Sequence, residues 1–327
     1  MKKKITKYLL LALACLGLQS CLFQEENYFD DSSANRATAD VNRCGELLKA
    51  APNGWVMEYY VGKDYSLGGI TLLCRFDGQR VTMASQMSEA DETVSSLYSV
   101  KSEQATMLSF DTYNYLVHYF GQPQGSMSDD PNGTLGGDYE FIISSASDER
   151  IELKGKKYGN RIVMKALSED QTWKQYLTKI KKVEDDAFFY EYDLLMDGLY
   201  TGQMLRSNYT FIVTYYDEIG KVHQKTVPFM FTADGLRFHF HEPVTIDGQT
   251  MQNFVWKNEV ISFVCTDEGA TGVKLAGVYT AGYQSYDYYP GTYQMDFYRL
   301  NDETKQLEVA SQEVRLLKNE DGKSYWL

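Results

Sequence analysis

The chain has 327 residues, 43% of them hydrophobic and 24% charged, a composition that excludes collagen-like, wholly disordered and polytopic membrane classes. Its 45 acidic residues outnumber 32 basic ones, giving a net charge of −13. Such a surface repels phosphate backbones and no Lys/Arg stripe offsets it, so nucleic-acid binding is not expected.

The chain opens with Lys2, Lys3, Lys4 and Lys7, followed by an apolar run over residues 8–18 that is too short to span a bilayer. Leu18-Gln19-Ser20-Cys21 then reads as a lipobox, so residues 1–20 are expected to be a signal peptide. Cys21 would carry a thioether-linked diacylglycerol and further acyl chains such as palmitate. Each buried CH₂ adds about 0.8 kcal/mol, which anchors a multiply acylated protein without a membrane-spanning helix. The plainer alternative is a secretory signal with an incidental cysteine. Of the remaining cysteines, Cys44, Cys74 and Cys265 follow Cys21, with no CxxC spacing. They form neither a disulfide framework nor a zinc site and are expected as buried free thiols.

Residues 21–32 read as a lipidated tether. A helix follows, capped by Ser32 or Ser33, with Ala34, Ala37, Val41, Cys44, Leu48 and Ala51 on one face; Pro52-Asn53-Gly54 ends it. Short strand-like runs are predicted at 55–61, 69–76, 80–85, 106–110, 115–120, 138–144, 149–154 and 160–166. Asp77-Gly78 is a hairpin signal, and residues 122–137 read as a long loop. Within that loop Asp130-Pro131-Asn132-Gly133 is a plain turn, since it lacks the acidic spacing of a calcium loop. A second helix is predicted from a capping box at Ser168 and Gln171, with Trp173, Tyr176, Leu177 and Ile180 on one face. Residues 183–200 fit a helix or a strand. Further strands are expected at 209–216, 222–232, 235–241, 252–257, 260–265, within 279–298, and at 307–317 and 323–327. The fold class is therefore mainly β. Residues 33–167 form a helix plus an N-terminal antiparallel β module, 168–200 a helical connector, and 201–327 a C-terminal antiparallel β module. Barrel and sandwich both fit, while strands that do not alternate with long helices argue against parallel α/β folds.

Three groups of residues are candidates for chemistry. Asp111, Thr112, Tyr113, Asn114 and His118 cluster polar groups in an apolar stretch. If residues 113–114 turn, Asp111 and His118 approach one another as an acid–base element. The structural alternative is an Asx turn beside a satisfied core histidine. His239 and His241 share one strand face, opposite Phe238 and Phe240. The aromatic face is the natural buried one, leaving the pair to solvent, and the ligand set is too incomplete for a metal site. Tyr283, Tyr286, Tyr288, Tyr289, Tyr293 and Phe297, with Asp287 and Asp296, form a Tyr-rich segment. Its aromatic faces would stack on sugar rings or peptide side chains, and sheet packing is the alternative. No catalytic motif, cofactor motif or metal set is present in the sequence.

Several segments carry a resemblance. They are Phe29-Asp30 with Ser32 and Arg36, Asn53-Gly54-Trp55 with Tyr59, Gly68-Gly69 with Phe76, and Ser109-Phe110-Asp111-Thr112-Tyr113-Asn114 with His118-Tyr119-Phe120. Gly136-Gly137-Asp138-Tyr139-Glu140-Phe141 and Leu153-Lys154-Gly155-Lys156-Lys157 with Gly159-Asn160 complete the set, and Gly235-Leu236 and Phe254 with Trp256 are weaker matches. Together they resemble a family of uncharacterised Bacteroidetes lipoproteins known only as a domain of unknown function. Leu22-Phe23-Gln24-Glu25-Glu26 is similar to the surface-export signal of such lipoproteins. The resemblance implies a lipid-anchored outer-membrane protein on the cell surface, near uptake systems that pair a transporter with a capture lipoprotein. It supplies no catalytic residue and no ligand. The expected function is non-catalytic binding of a glycan or peptide ligand as an accessory of nutrient uptake. A hydrolase centred on Asp111 and His118, or a structural subunit of an envelope complex, is the alternative.

Overall fold

The computed structural model describes residues 32–123, 133–217, 219–282, 288–319 and 325–326. Cys21, the signal segment, Tyr283, Tyr286 and Asp287 lie outside the described residues. Helix α1 (Ser33–Ala50) is capped by Ser32, whose Oγ accepts from the Asn35 amide at 3.1 Å. It lies across the first sheet and buries Cys44 and Leu48.

Eight strands then run in sequence: β1 (Trp55–Val61), β2 (Gly68–Phe76), β3 (Arg80–Ser85), β4 (Val94–Ser102), β5 (Thr106–Phe110), β6 (Glu140–Ala146), β7 (Arg150–Gly155) and β8 (Arg161–Ala166). Each pairs antiparallel with the next, and β1 pairs with β8 from Trp55↔Ala166 to Tyr59↔Ile162, closing a barrel. The β2–β3 hairpin turns at Asp77-Gly78, where the Asp77 carboxylate accepts from the Arg80 amide at 2.7 Å. Eight strands leave an interior just wide enough for side chains to fill. Trp55, Met57, Tyr59, Leu72, Cys74, Phe141 and Ile162 fill this one.

Residues 115–120 are not a strand. The alternation of Tyr115, Val117 and Tyr119 fits one, but Asn114 is fully buried and its Oδ1 accepts from the Leu116 amide at 3.1 Å. That cap starts the one-turn helix α2 (Tyr115–His118), which places Leu116 and Val117 in the first core.

Helix α3 (Trp173–Asp186) starts four residues later than the Ser168 box predicts. Thr172 and Gln175 form its capping box instead. Asn53 Nδ2 donates to the carbonyls of both Ser168 (2.8 Å) and Gln171 (2.6 Å), which holds those residues in a turn outside the helix. Tyr176, Leu177, Ile180 and Val183 are its buried face.

The second barrel comprises β9 (Glu191–Met196), β10 (Leu199–Ser207), β11 (Thr210–Tyr216), β12 (Val222–Thr232), β13 (Arg237–Ile246), β14 (Gln249–Lys257), β15 (Ser262–Cys265) and β16 (Val273–Val278). It closes through β16 and β9, from Val273↔Met196 to Val278↔Glu191. Strand β9 and the start of β10 therefore lie inside the stretch expected as connector. The core is aromatic: Phe211, Phe229, Phe231, Phe238, Phe240, Phe254 and Phe263 are all fully buried. The tail does not join it. Strands β17 (Gly291–Leu300), β18 (Leu307–Lys318) and β19 (Tyr325–Trp326) make a separate three-stranded sheet.

The barrels dock side by side. Val56, Leu73 and Ala84 point out of the first barrel and join the core of the second together with α3. Gly68 and Gly69 permit this approach. Gly68 has φ +73° and bridges Tyr209, whose carbonyl oxygen would lie 2.0 Å from an added Cβ; at Gly69 a Cβ would come within 2.8 Å of Met230 Cβ. Strand β1 is consequently buried on both faces along most of its length. Among the described residues no helix is long and apolar enough to cross a membrane.

Candidate ligand-binding cleft

Beside the docked strands the two surfaces part and leave two adjoining cavities, of about 390 and 230 Å³, that share Glu58, Lys165 and His239. The first barrel supplies the outward residues of β1 and β8: Val56, Glu58 and Tyr60, then Arg161, Val163 and Lys165. The second supplies Arg237, His239 and His241 from β13, opposite the inward Phe238 and Phe240. The β13–β14 pairing breaks after His239↔Asn253 and resumes at Val244↔Met251. In this bulge the Gln252 side-chain Nε2 donates to the Phe240 carbonyl at 3.1 Å.

The His pair therefore does not face open solvent as alternation alone suggests. It faces the other barrel. His241 packs against Tyr60 and Tyr65, with ring centroids 4.4 and 4.2 Å away. Burial pushes both imidazoles below the ordinary histidine pKa; Glu58 and Asp234 partly oppose this at His239, and Glu242 does so at His241. Both rings are then neutral near pH 7, each with one donor and one acceptor nitrogen. Among the described residues no three metal-ligating side chains come together here or elsewhere.

The walls carry polar capacity that the fold does not use. The Tyr60 hydroxyl and the Gln171 Nε2 are buried with no hydrogen-bond partner among the described residues. The side chain of Arg237, an exposed residue, likewise forms no ion pair or hydrogen bond with them. Lys165 is committed to Glu58 at 2.6 Å, while Arg150 and Arg161 share Glu152 at 2.9 and 3.9 Å. An unpartnered buried polar group costs about 1–3 kcal/mol, so these two, one on a residue lining each cavity, call for an explanation.

The other candidates lie apart from the cleft. Asp111 accepts from Ser99 Oγ at 3.2 Å, while His118 Nδ1 lies 3.2 and 3.1 Å from the backbone nitrogen and carbonyl of Asn114. The two side chains thus engage different partners. His118 stacks on Tyr139 at 4.6 Å, Tyr113 is exposed, and Thr112 Oγ1 accepts from the Leu97 amide. These residues plug one end of the first barrel. There the Tyr59 hydroxyl bonds both the amide (2.6 Å) and the carbonyl (2.9 Å) of Asp138, and the Asp138 carboxylate accepts from the amides of Lys157 and Tyr158. Burial nevertheless holds the Asp138 carboxyl above its usual pKa. Of the Tyr-rich segment, Tyr288, Tyr289 and Tyr293 are exposed, and the Tyr293 hydroxyl donates to the Tyr289 carbonyl. Asp296 is bonded by Ser311 Oγ across the β17–β18 pair.

No motif marks the cleft in the sequence. Glu58, Arg161, Lys165 and Arg237 read as ordinary solvated strand faces, and the His239/His241 alternation is the one signal that pointed there.

The family model of a domain of unknown function, DUF4302, matches residues 25–258. A second, DUF4987, also a domain of unknown function, matches residues 266–327. No curated protein matches the chain. The first match stops after β14 and the second begins after β15, so the boundary falls inside the second barrel. With more than half of its length matched, the chain belongs to the DUF4302 family of domains of unknown function.

Proposed function

We propose that the protein is a lipid-anchored lipoprotein of the outer membrane, displayed at the cell surface, that captures a small ligand in the inter-barrel cleft without catalysis, as an accessory of a nutrient-uptake system. The observation that carries the capture reading is the unused hydrogen-bonding capacity of the cleft, at Tyr60, Gln171 and Arg237. The anchor rests on the Ser20-Cys21 lipobox. A second reading places the ligand on the C-terminal sheet, where Tyr288 is 63% exposed beside Tyr289 and Tyr293.

A thermal-shift screen of the mature chain against oligosaccharides, peptides, haem and divalent metals tests both. A ligand at 100 times its dissociation constant stabilises by about 2.7 kcal/mol. A hit lost on Arg237→Gln supports the cleft; one lost on Tyr288→Ala or Tyr293→Ala moves the site to the C-terminal sheet. Silence from a folded sample that co-purifies with a transporter would replace small-ligand capture by a structural role. Cys21→Ser should shift the protein from the membrane to the soluble fraction, and retention in the membrane would refute the anchor.

A further inference from the structure

Resting on the capture reading, the cleft walls also indicate the class of ligand. We infer that the cleft receives an anionic ligand whose carboxylate, sulfate or phosphate groups meet Arg237 of the second barrel in the larger cavity and Arg161 of the first barrel in the smaller.

Charge is the first argument. The chain as a whole carries −13, yet the cleft walls hold Arg150, Arg161, Lys165 and Arg237 against Glu58 and Asp234. With Glu152 counted against Arg150, the walls keep a small positive excess, opposite in sign to the net charge of the chain. A concave, partly desolvated patch of one sign focuses the field on an incoming ion of the other. Commitment of the charges is the second argument. Lys165 and Glu58 neutralise each other at 2.6 Å, whereas Arg161 keeps only a 3.9 Å approach to Glu152 and Arg237 has no partner among the described residues. Two guanidinium groups are thus available, and guanidinium matches the geometry of carboxylate, sulfate and phosphate.

Donor chemistry is the third argument. Of the four buried side-chain groups without partners among the described residues, the two that belong to cleft-lining residues, Gln171 Nε2 and the Tyr60 hydroxyl, can both donate. Gln171 lines the larger cavity and Tyr60 the smaller. A ligand rich in acceptors satisfies both groups, while a cation or a pure donor leaves Gln171 Nε2 unpaired. The larger cavity, about 390 Å³, falls within the range of small-molecule sites and suits a ligand the size of a tricarboxylate.

The test is calorimetric titration of the mature chain carrying Cys21→Ser with citrate, trimethyl citrate, inorganic sulfate and inorganic phosphate, at low and high salt. Citrate or an inorganic anion should bind, at least tenfold more tightly than the neutral ester, and weaken with salt. Arg237→Gln and Arg161→Gln should each reduce that affinity about tenfold or more, as expected for a lost charge-assisted hydrogen bond, with unchanged thermal stability. Citrate alone would point to an organic carboxylate, sulfate or phosphate alone to an inorganic or ester group; each supports the inference. If trimethyl citrate binds as well as citrate and Arg237→Gln weakens both, the cleft stands as a capture site but the anionic class falls. If anion binding survives both Arg variants and is lost on Tyr288→Ala, the cleft itself is wrong. No heat from any probe at 10 mM overturns the oxyanion assignment.

Discussion

Cutting the chain at the family boundary should destroy the second barrel, whereas cutting it about two dozen residues later should not. A chain of residues 22–258 keeps the whole of the first family match but lacks β15 and β16. It loses Phe263, Val273 and Leu275, each at most 1% exposed, together with Cys265 and Ala270. Fully burying a Val, Leu or Phe side chain contributes about 1.5–3 kcal/mol, so the three large ones account for roughly 5–9 kcal/mol. A whole domain is stable by only about 5–15 kcal/mol. The cut also strips β9 and β14 of one neighbour each, leaving two unpaired strand edges beside Tyr192, Phe254 and Trp256. A chain of residues 22–282 keeps every member of both cores, and it keeps Tyr279, which packs on Phe189 at 4.9 Å. Urea unfolding followed by tryptophan fluorescence, with limited proteolysis alongside, distinguishes the two. The 22–282 chain should unfold within about 1 kcal/mol of the chain of residues 22–327. The 22–258 chain should have a smaller m-value and be cut within residues 191–258. Equal midpoints, m-values and protease resistance for the two truncations would refute the claim that barrel closure stabilises this half.

Three further outcomes are expected. Tyr59→Phe removes the hydroxyl that bonds both the amide and the carbonyl of Asp138, and should cost about 1–3 kcal/mol in urea unfolding, because two buried backbone groups lose their partner. His118, His239 and His241 all have pKa values lowered by burial. On acidification the unfolded chain takes up these protons first, at about pH 6.5, so their contribution is complete above that pH and is lost as the pH falls through it. Stability measured from pH 7.5 to 5.5 should therefore fall less steeply in a His239→Asn, His241→Asn double variant; an unchanged slope would count against buried neutral imidazoles. Cys44, Cys74 and Cys265 are free and buried, and burial pushes all three thiols up, Cys265 to about 11. Iodoacetamide should leave them unmodified in the native protein and alkylate all three in urea; prompt native labelling of any one would contradict its burial.

Much of the strand pattern was legible because a barrel of this size imposes strict inside–outside alternation on each strand. Phe238 to His241 read correctly as an aromatic face and a histidine face, although Leu236 lies in the turn before the strand, and Asp77-Gly78 marked its hairpin. The misread segments share a cause. At Ser168 and Thr172 two capping boxes compete locally, and a side chain over a hundred residues away, Asn53, selects between them. At residues 115–120 the alternation is that of a strand, and the buried Asn114 overrides it with a cap. Residues 183–200 fit a helix or a strand, and the hairpin of β9 and β10 around Asp197-Gly198, with β16 closing on the other edge of β9, decides for a strand over Glu191–Met196. The Asp111 and His118 cluster looked chemical because polar residues stood in an apolar stretch, yet Asn114 and Asp138 are polar there to bond the backbone that plugs the barrel end.

The cleft lay beyond reach for a related reason. Alternation assigns a residue to the inside or the outside of its own barrel, and says nothing about what covers the outside. Glu58, Tyr60 and Lys165 are outside residues of one barrel, His239 and His241 of the other. Each set alone is an ordinary polar strand face, and together they form a walled site. That site exists because Gly68 and Gly69 let β2 close on Tyr209 and Met230. The approach that buries Val56 and Leu73 in the second core also places His241 against Tyr60. Docking of the barrels and construction of the cleft are therefore one event, and a substitution that pushes the barrels apart at Gly69 should weaken ligand capture without touching a residue of the cleft wall.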